Sequence, residues 1–255
     1  MNPAFYIPMT CAQCAEGAGL DFEFSMAFQP IVDFAARRVF SYEALVRGPR
    51  NEPSGSIISQ VNDRNRYRFD QACRVKTIQL AARLGLSTYL NINFYPGAVY
   101  RPELCIRTTI EAARTFNFPI DRIVFEVTEG EKIEDHIHLN GIVKEYQRLG
   151  FKTAIDDFGA GYSGLNLLAE FQPDFLKLDM ALTRSVHDKP SRQAIVRGII
   201  GVCRELNIAI VAEGVETKEE LAWLQEAGVN LFQGYYFAHP EFEALPEIPD
   251  DRFSL

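Results

Sequence analysis

Short β-rich runs alternate with longer stretches of helical spacing along most of this chain, and that alternation leaves few folds open. The pattern predicts strands at Phe24–Val32, Val39–Val46, Thr88–Asn93, Arg122–Val127, Lys152–Asp156, Phe175–Leu178, Ile208–Ala212 and Val229–Phe232. Helical spacing covers Arg74–Leu84, Glu103–Phe116, Ile137–Leu149, Ser191–Leu206 and Lys218–Ala227. Gly85, Gly150 and Gly228 each follow a helical run, as C-terminal caps do. Strands alternating with helices imply a mostly parallel sheet with helical crossovers. About eight strands in about 230 residues favour a closed (β/α)8 barrel over an open sheet. The first two runs break the pattern, because only Asp33 to Arg38 separate them. That gap is too short for a crossover helix, so the two should pair antiparallel as a hairpin.

No internal repeat or linker divides the sequence, so we expect an N-terminal arm over residues 1–22 and one domain over 23–255. A length of 255 residues suffices to bury a core without disulfide or metal staples. The net charge of −8 argues against broad binding to a nucleic-acid backbone, DNA included, while leaving room for a local phosphate site. No apolar run reaches the roughly 18 residues of a membrane span. The start shows no basic region followed by an apolar one, so no signal peptide is expected. Five cysteines make no disulfide framework and fit a reducing, cytoplasmic setting.

Polar residues end successive apolar runs: Glu43, Asn93, Glu126, Asp156 with Asp157, Lys177, Glu213 and Gln233. From Asn93 onward the intervals are 33, 30, 21, 36 and 20 residues, each near one strand-plus-helix step. In a barrel these ends converge on one mouth, where active sites are built. One acidic residue there commonly just caps a helix. Five carboxylates together repel one another too strongly to stay ionised without cations. Hard oxygen donors, with none of the four histidines at a strand end, point to magnesium or manganese rather than zinc. Paired metals usually share a carboxylate and clamp the attacking and leaving oxygens of a phosphoryl displacement. Asp156-Asp157 suits that arrangement, with Lys177 orienting the water or stabilising developing charge.

These residues resemble the EAL-domain family of bacterial cyclic di-GMP-specific phosphodiesterases. The resemblance runs from about Phe24 to Pro240 and rests on an ordered set of motifs. They are Gln29-Pro30-Ile31, Glu43-Ala44-Leu45 within Tyr42–Gly48, Asn93 in Asn-x-x-Pro, Glu126-Val127-Thr128-Glu129, Asp156-Asp157-Phe158-Gly159, Lys177-Leu178-Asp179, Ala212–Glu216 and Gln233-Gly234-Tyr235. The resemblance implies a modified TIM barrel with an antiparallel first strand, and hydrolysis of cyclic di-GMP to linear pGpG. It implies Glu43, Asn93, Glu126 and Asp156 as ligands of a first Mg2+ or Mn2+ ion, and Asp156, Asp157 and Glu213 as ligands of a second. Lys177 resembles the lysine that contacts the catalytic water; Glu213 is a ligand or a general base. Glu216 and Gln233 resemble residues supporting the lysine and the nucleophile. Glu129 resembles the glutamate that steadies the loop after Asp157, and Gln29 and Arg47 resemble substrate contacts. A homodimer is also implied. Two departures stand out: Phe94-Tyr95 replaces a small or aliphatic pair after the asparagine, and Asn62–Tyr67 is unusually polar and basic.

Other features compete with this reading. Gly159–Gly164 matches G-x-G-x-x-G after a strand, but Asp156-Asp157 directly before it would repel a pyrophosphate, so a loop over the metal site is the better expectation. Cys11-x-x-Cys14 lacks a second half, and His136-x-His138 reads as a solvated helix start. A catalytically silent cyclic di-GMP receptor on the same fold is the chief alternative. An enolase-type barrel would need a capping domain that the residues before Phe24 cannot supply. Calcium should fill the oxygen ligands too loosely and inhibit. A sensor or regulatory partner is left open.

Overall fold

The computed structural model describes residues 19–99, 101–128, 136–160 and 164–255. Among the described residues nine strands form one sheet: β1 (Ser25–Asp33), β2 (Arg38–Arg47), β3 (Tyr89–Asn93), β4 (Ile123–Thr128), β5 (Lys152–Phe158), β6 (Phe175–Leu178), β7 (Ala209–Ala212), β8 (Leu231–Gln233) and β9 (Glu241–Phe242). β2 to β8 lie side by side in chain order, all parallel, and β1 closes the ring by pairing antiparallel with both β8 and β2. The architecture is therefore the expected closed α/β barrel, and the six-residue gap behaves as a hairpin. β9 adds to the upper part of β1, at Ala27 and Phe28.

The hairpin has a consequence for the outside of the barrel. A β-α-β step covers its own strands with a helix, whereas β1–β2 brings none. The C-terminal segment supplies part of that cover: Tyr42 Oη donates to Pro246 O at 3.0 Å, and Arg37 Nη1 donates to Phe253 O at 3.0 Å. Phe253 packs against Phe34 and Phe237.

Inside, polar and apolar residues separate by height. The β1–β2 register shifts between Ile31 and Val32, leaving Phe40 as the extra residue. Its ring meets Tyr89 at 5.0 Å and Phe175 at 5.6 Å. With Ile31, Val211 and Leu231, Phe40 and Phe175 form an apolar floor under the polar mouth. Side chains in a strand alternate faces, so Asn91 and Lys177, two residues above Tyr89 and Phe175, project into the barrel, and the bulge at Phe40 lets Glu43, three residues above it, do the same.

Helices Arg107–Thr115, His136–Arg148, Pro190–Glu205 and Lys218–Glu226 fall near their expected places. Gly85, Gly150 and Gly228 take φ of +70°, +94° and +104°, as helix-ending glycines do. Three differences are informative. Arg66–Arg83 starts two turns earlier than Arg74, because its first turns bury the charged residues Asp70 and Arg74, which break the apolar period. The stretch Glu103–Phe116 divides into Pro102–Cys105 and Arg107–Thr115. Gly164–Glu170 forms a helix after the glycine motif. Among the described residues, no helix is long and apolar enough to cross a membrane.

Candidate metal centre

The mouth is built by one inward residue from nearly every strand. β2 supplies Glu43, β3 Asn91 and Asn93, β4 Glu126, β5 Asp156, β6 Lys177, and β8 Gln233, while Glu213 directly follows β7. Lys177 lies fully buried at the centre. Its Nζ sits 2.9 Å from Asp156 Oδ1, 2.9 Å from Glu213 Oε1, 3.1 Å from Glu43 Oε2 and 3.2 Å from Glu126 Oε2. Neutral amides complete the first ring: Asn93 Nδ2 donates to Glu43 Oε1 at 2.9 Å, and Gln233 Nε2 donates to Glu43 Oε2 at 2.7 Å. Gln233 also reaches Gln29 Oε1 at 3.3 Å.

Asp157 joins Asp156 through a backbone irregularity. Its φ is +54°, in the left-handed region, and the β5–β6 register breaks between Ile155 and Phe158. Two groups of ligand oxygens result, Glu43–Glu126–Asp156 and Asp156–Asp157–Glu213, each within 4.8 Å of one another. Asp156 belongs to both.

The charges do not balance. Four carboxylates surround one ammonium, and Asp157 adds a fifth. Burial first, then the neighbouring carboxylates, pushes the carboxyls of Glu126 and Glu213 well above the ordinary range. Asp157 is raised to about 6, by burial and then by Asp156. Burial acts upward on Glu43 too, but Lys177 and the amides of Gln233 and Asn93 outweigh it and hold that carboxyl low. Burial would release the proton of Lys177, yet Asp156, Glu126, Glu213 and Glu43 hold it firmly as a cation. A cluster left net negative, all oxygen in its anionic donors, with one carboxylate common to two groups, fits two hard divalent cations.

The remaining expected residues lie around this core. Gln29 is buried in β1 and donates to Ala238 O at 3.4 Å. Arg47 ends β2 at the rim, half-buried, with Nη1 on Val46 O at 2.8 Å. Glu216, which the resemblance puts near the lysine, pairs on the rim with Arg184 at 2.6 Å. Glu129, Cys11, Cys14 and the centre of the glycine motif lie outside the described residues. His138 is half-buried and its ring contacts Val99 O, so that part of the helix start is not simply solvated.

Sequence reasoning passed over Asn91. Its Nδ2 donates to Glu126 Oε1 at 2.7 Å, orienting the most deeply buried carboxylate. The signal was present in Asn91-Ile92-Asn93, where alternation puts both amides on the inner face. Glu220 was missed as well: its carboxylate accepts from Ser185 N, Glu216 N and Thr217 N, at 2.7, 2.9 and 3.2 Å, tying the loop after β6 to the loop after β7.

A closed α/β barrel whose mouth gathers four carboxylates around a buried lysine, with Asp157 beside them, defines a class of candidate metal-dependent enzymes. The family model for the EAL domain matches residues 18–240, and the chain belongs to the EAL domain family. A standalone versatile EAL protein from Vibrio cholerae O395, solved in its c-di-GMP-bound form, is 56% identical and superposes with a TM-score of 0.90, covering 93% of this chain and 100% of that one. Klebsiella pneumoniae BlrP1 in a manganese/cy-diGMP complex is 39% identical with a TM-score of 0.84, over 88% of this chain and 58% of that one. Among curated relatives, the blue light- and temperature-regulated antirepressor BluF of Escherichia coli K12 is 34% identical over 223 residues, 87% of this chain and 55% of BluF. The cyclic di-GMP phosphodiesterase PdeR of the same organism is 38% identical over 143 residues, 56% of this chain and 21% of PdeR. The chain thus spans about half the length of BluF and about a fifth of PdeR.

Proposed function

We propose that this chain hydrolyses one phosphodiester of cyclic di-GMP, giving linear pGpG, with two Mg2+ or Mn2+ ions at the barrel mouth. The observation that carries the reading is the pair of carboxylate groups sharing Asp156. The cyclic di-GMP complexes of the Vibrio and Klebsiella proteins and the naming of PdeR support the substrate.

Glu43, Asn93, Glu126 and Asp156 would hold one ion, and Asp156, Asp157 and Glu213 the other. When bound, such ions supply Lewis acidity and neutralise the charge developing on phosphate. Glu213, at the edge of the cluster with a raised carboxyl pKa, suits a ligand or a base that takes the proton of the attacking water. Lys177 remains charged and offers positive potential to that water or to the phosphate. Gln233, which also donates to Gln29, would fix Glu43 from the β8 side. Arg47, at the rim, would bind a phosphate oxygen. Glu129 would steady the loop after Asp157, and Glu216 the rim beside it.

Calcium, larger and less demanding in geometry, should occupy the same oxygens and inhibit. We further propose a cytoplasmic homodimer whose activity a sensor or regulatory partner sets. A silent cyclic di-GMP receptor is the second reading, supported by the likeness to an antirepressor; the complete carboxylate set favours hydrolysis. Incubation with cyclic di-GMP and Mg2+, with and without a chelator, tests the proposal by chromatography. We expect pGpG only where the metal is free; intact cyclic di-GMP under both conditions, with tight binding, would establish the receptor instead.

A further inference from the structure

Behind β3 and β4, outside the barrel wall, lies a buried charge cluster that the proposed chemistry does not use. Asp70 and Arg74, one turn apart on the helix Arg66–Arg83, are 2% and 0% exposed. Arg74 Nη2 lies 2.7 Å from Asp70 Oδ2, and its Nη1 donates to Tyr146 Oη at 3.0 Å. The guanidinium stacks 5.1 Å from the Phe125 ring and 5.5 Å from the Phe94 ring. The other oxygen, Asp70 Oδ1, accepts from the backbone N–H of Tyr95 at 3.1 Å.

A buried ion pair is costly to desolvate, and well-packed apolar residues often stabilise a fold as well or better. Its value here is therefore sought in geometry. Phe94 and Tyr95 directly follow Asn93, and Phe125 directly precedes Glu126. Phe94 N also donates to Glu126 O at 3.1 Å, joining the two strand ends. Phe94 and Phe125 turn their rings out toward Arg74 while Asn93 and Glu126 beside them face in toward the mouth. The departure at Phe94 thereby gains a physical reason: a small residue there would take away one of the rings that cover the guanidinium.

We propose that Asp70 and Arg74 are positioning residues, which clamp the Tyr95 amide and the Phe94–Phe125 ring pair from behind and so set Asn93 and Glu126 for the first cation. The inference rests on the metal reading of the mouth, but the clamp itself is testable without metal. Apolar replacement of both charges (D70L with R74M) avoids leaving one buried charge alone and should retain the fold. D70N with R74M restores an acceptor for Tyr95.

Two measurements decide the matter: amide hydrogen exchange at Phe94 and Tyr95 in chelator-treated protein, and Mn2+ affinity by calorimetry without nucleotide. In D70L/R74M we expect faster exchange at both amides, an unchanged core elsewhere, and Mn2+ binding roughly tenfold weaker, the lower end for loss of a supporting partner. D70N/R74M should recover much of both. Unchanged exchange at Tyr95 in D70L/R74M, or wild-type Mn2+ affinity in it, would overturn the clamp. Failure of the unaltered protein to bind Mn2+ would instead sink the metal reading, with the exchange experiment still deciding whether the pair holds this loop.

Discussion

Asp156 and Asp157 are consecutive in β5, yet their carboxylate oxygens converge within 4.8 Å of each other and of Glu213. Successive strand residues ordinarily point to opposite faces. The left-handed φ of +54° at Asp157 and the break in pairing after Ile155 cancel that alternation. A non-glycine residue in such a conformation costs on the order of 1–3 kcal/mol, a cost that persists where surrounding structure over-determines it.

The shared position of Asp156 predicts unequal effects of two similar substitutions. Asp156→Asn should abolish hydrolysis and remove both metal sites. Asp157→Asn, which tolerates the left-handed backbone, should leave one. Calorimetric titration with Mn2+ reads the stoichiometry, and two sites surviving in Asp156→Asn would contradict the bridge.

Acidity should govern metal binding. The Asp157 carboxyl sits at about 6 in the folded chain against an ordinary 3.8, raised by burial and by Asp156. Because the folded value is the higher, its contribution to the stability of the metal-free chain is present below pH 3.8 and lost as pH rises through about 6. Glu126 and Glu213 carry the same sign, from burial first. Cation binding must displace those protons, so affinity should rise with pH up to and beyond about 6. Titrations in buffers of different ionisation enthalpy should show proton release there, and none would contradict these assignments.

Removing the central ammonium exposes the carboxylates to one another. Lys177→Met should destabilise the chelator-treated protein by roughly 3–5 kcal/mol, the cost of leaving buried charge uncompensated. Saturating Mg2+ should return much of that loss while activity stays low. Thermal melting with and without Mg2+ checks both, and equal melting temperatures for variant and parent in chelator would refute the role.

Gly234 shows a steric demand. A Cβ there would fall 2.0 Å from Val215 O and 2.4 Å from Val215 N, both backbone atoms. Val215 N donates to Gln233 O at 3.1 Å, so this contact holds the loop carrying Glu213 against the end of β8. Gly234→Ala should push that loop outward and weaken binding at the Asp156–Asp157–Glu213 group, leaving the other group nearer normal. A crystal structure of the variant with Mn2+ would decide, and an undisplaced Val215 would count against it.

Local pattern made much of this legible. Lys177 and Glu126 were visible because each follows an apolar run in a strand only a few residues long, where the direction of a side chain is set by parity. Parity alone would turn Asp157 away from the mouth; the adjacent Asp156-Asp157 pair marked it in the sequence, and the left-handed φ at Asp157 is what brings it inward. The expected helix began only at Arg74 because Asp70, one turn before it, looks like a surface charge until it is seen to be Arg74's partner.

From the sequence alone came the strand–helix alternation, the hairpin at its start, the family motifs and the residue types at each strand end, because these are properties of short segments. Closure of the barrel decided the rest. It brought Glu43, Glu126, Asp156 and Glu213 onto one lysine, placed Asn91 beneath Glu126, and turned Asp70 from a polar interruption into a support for Tyr95. Such relations join residues as far as 134 positions apart, Glu43 and Lys177, and depend on the register between strands, which the energy of the whole core selects.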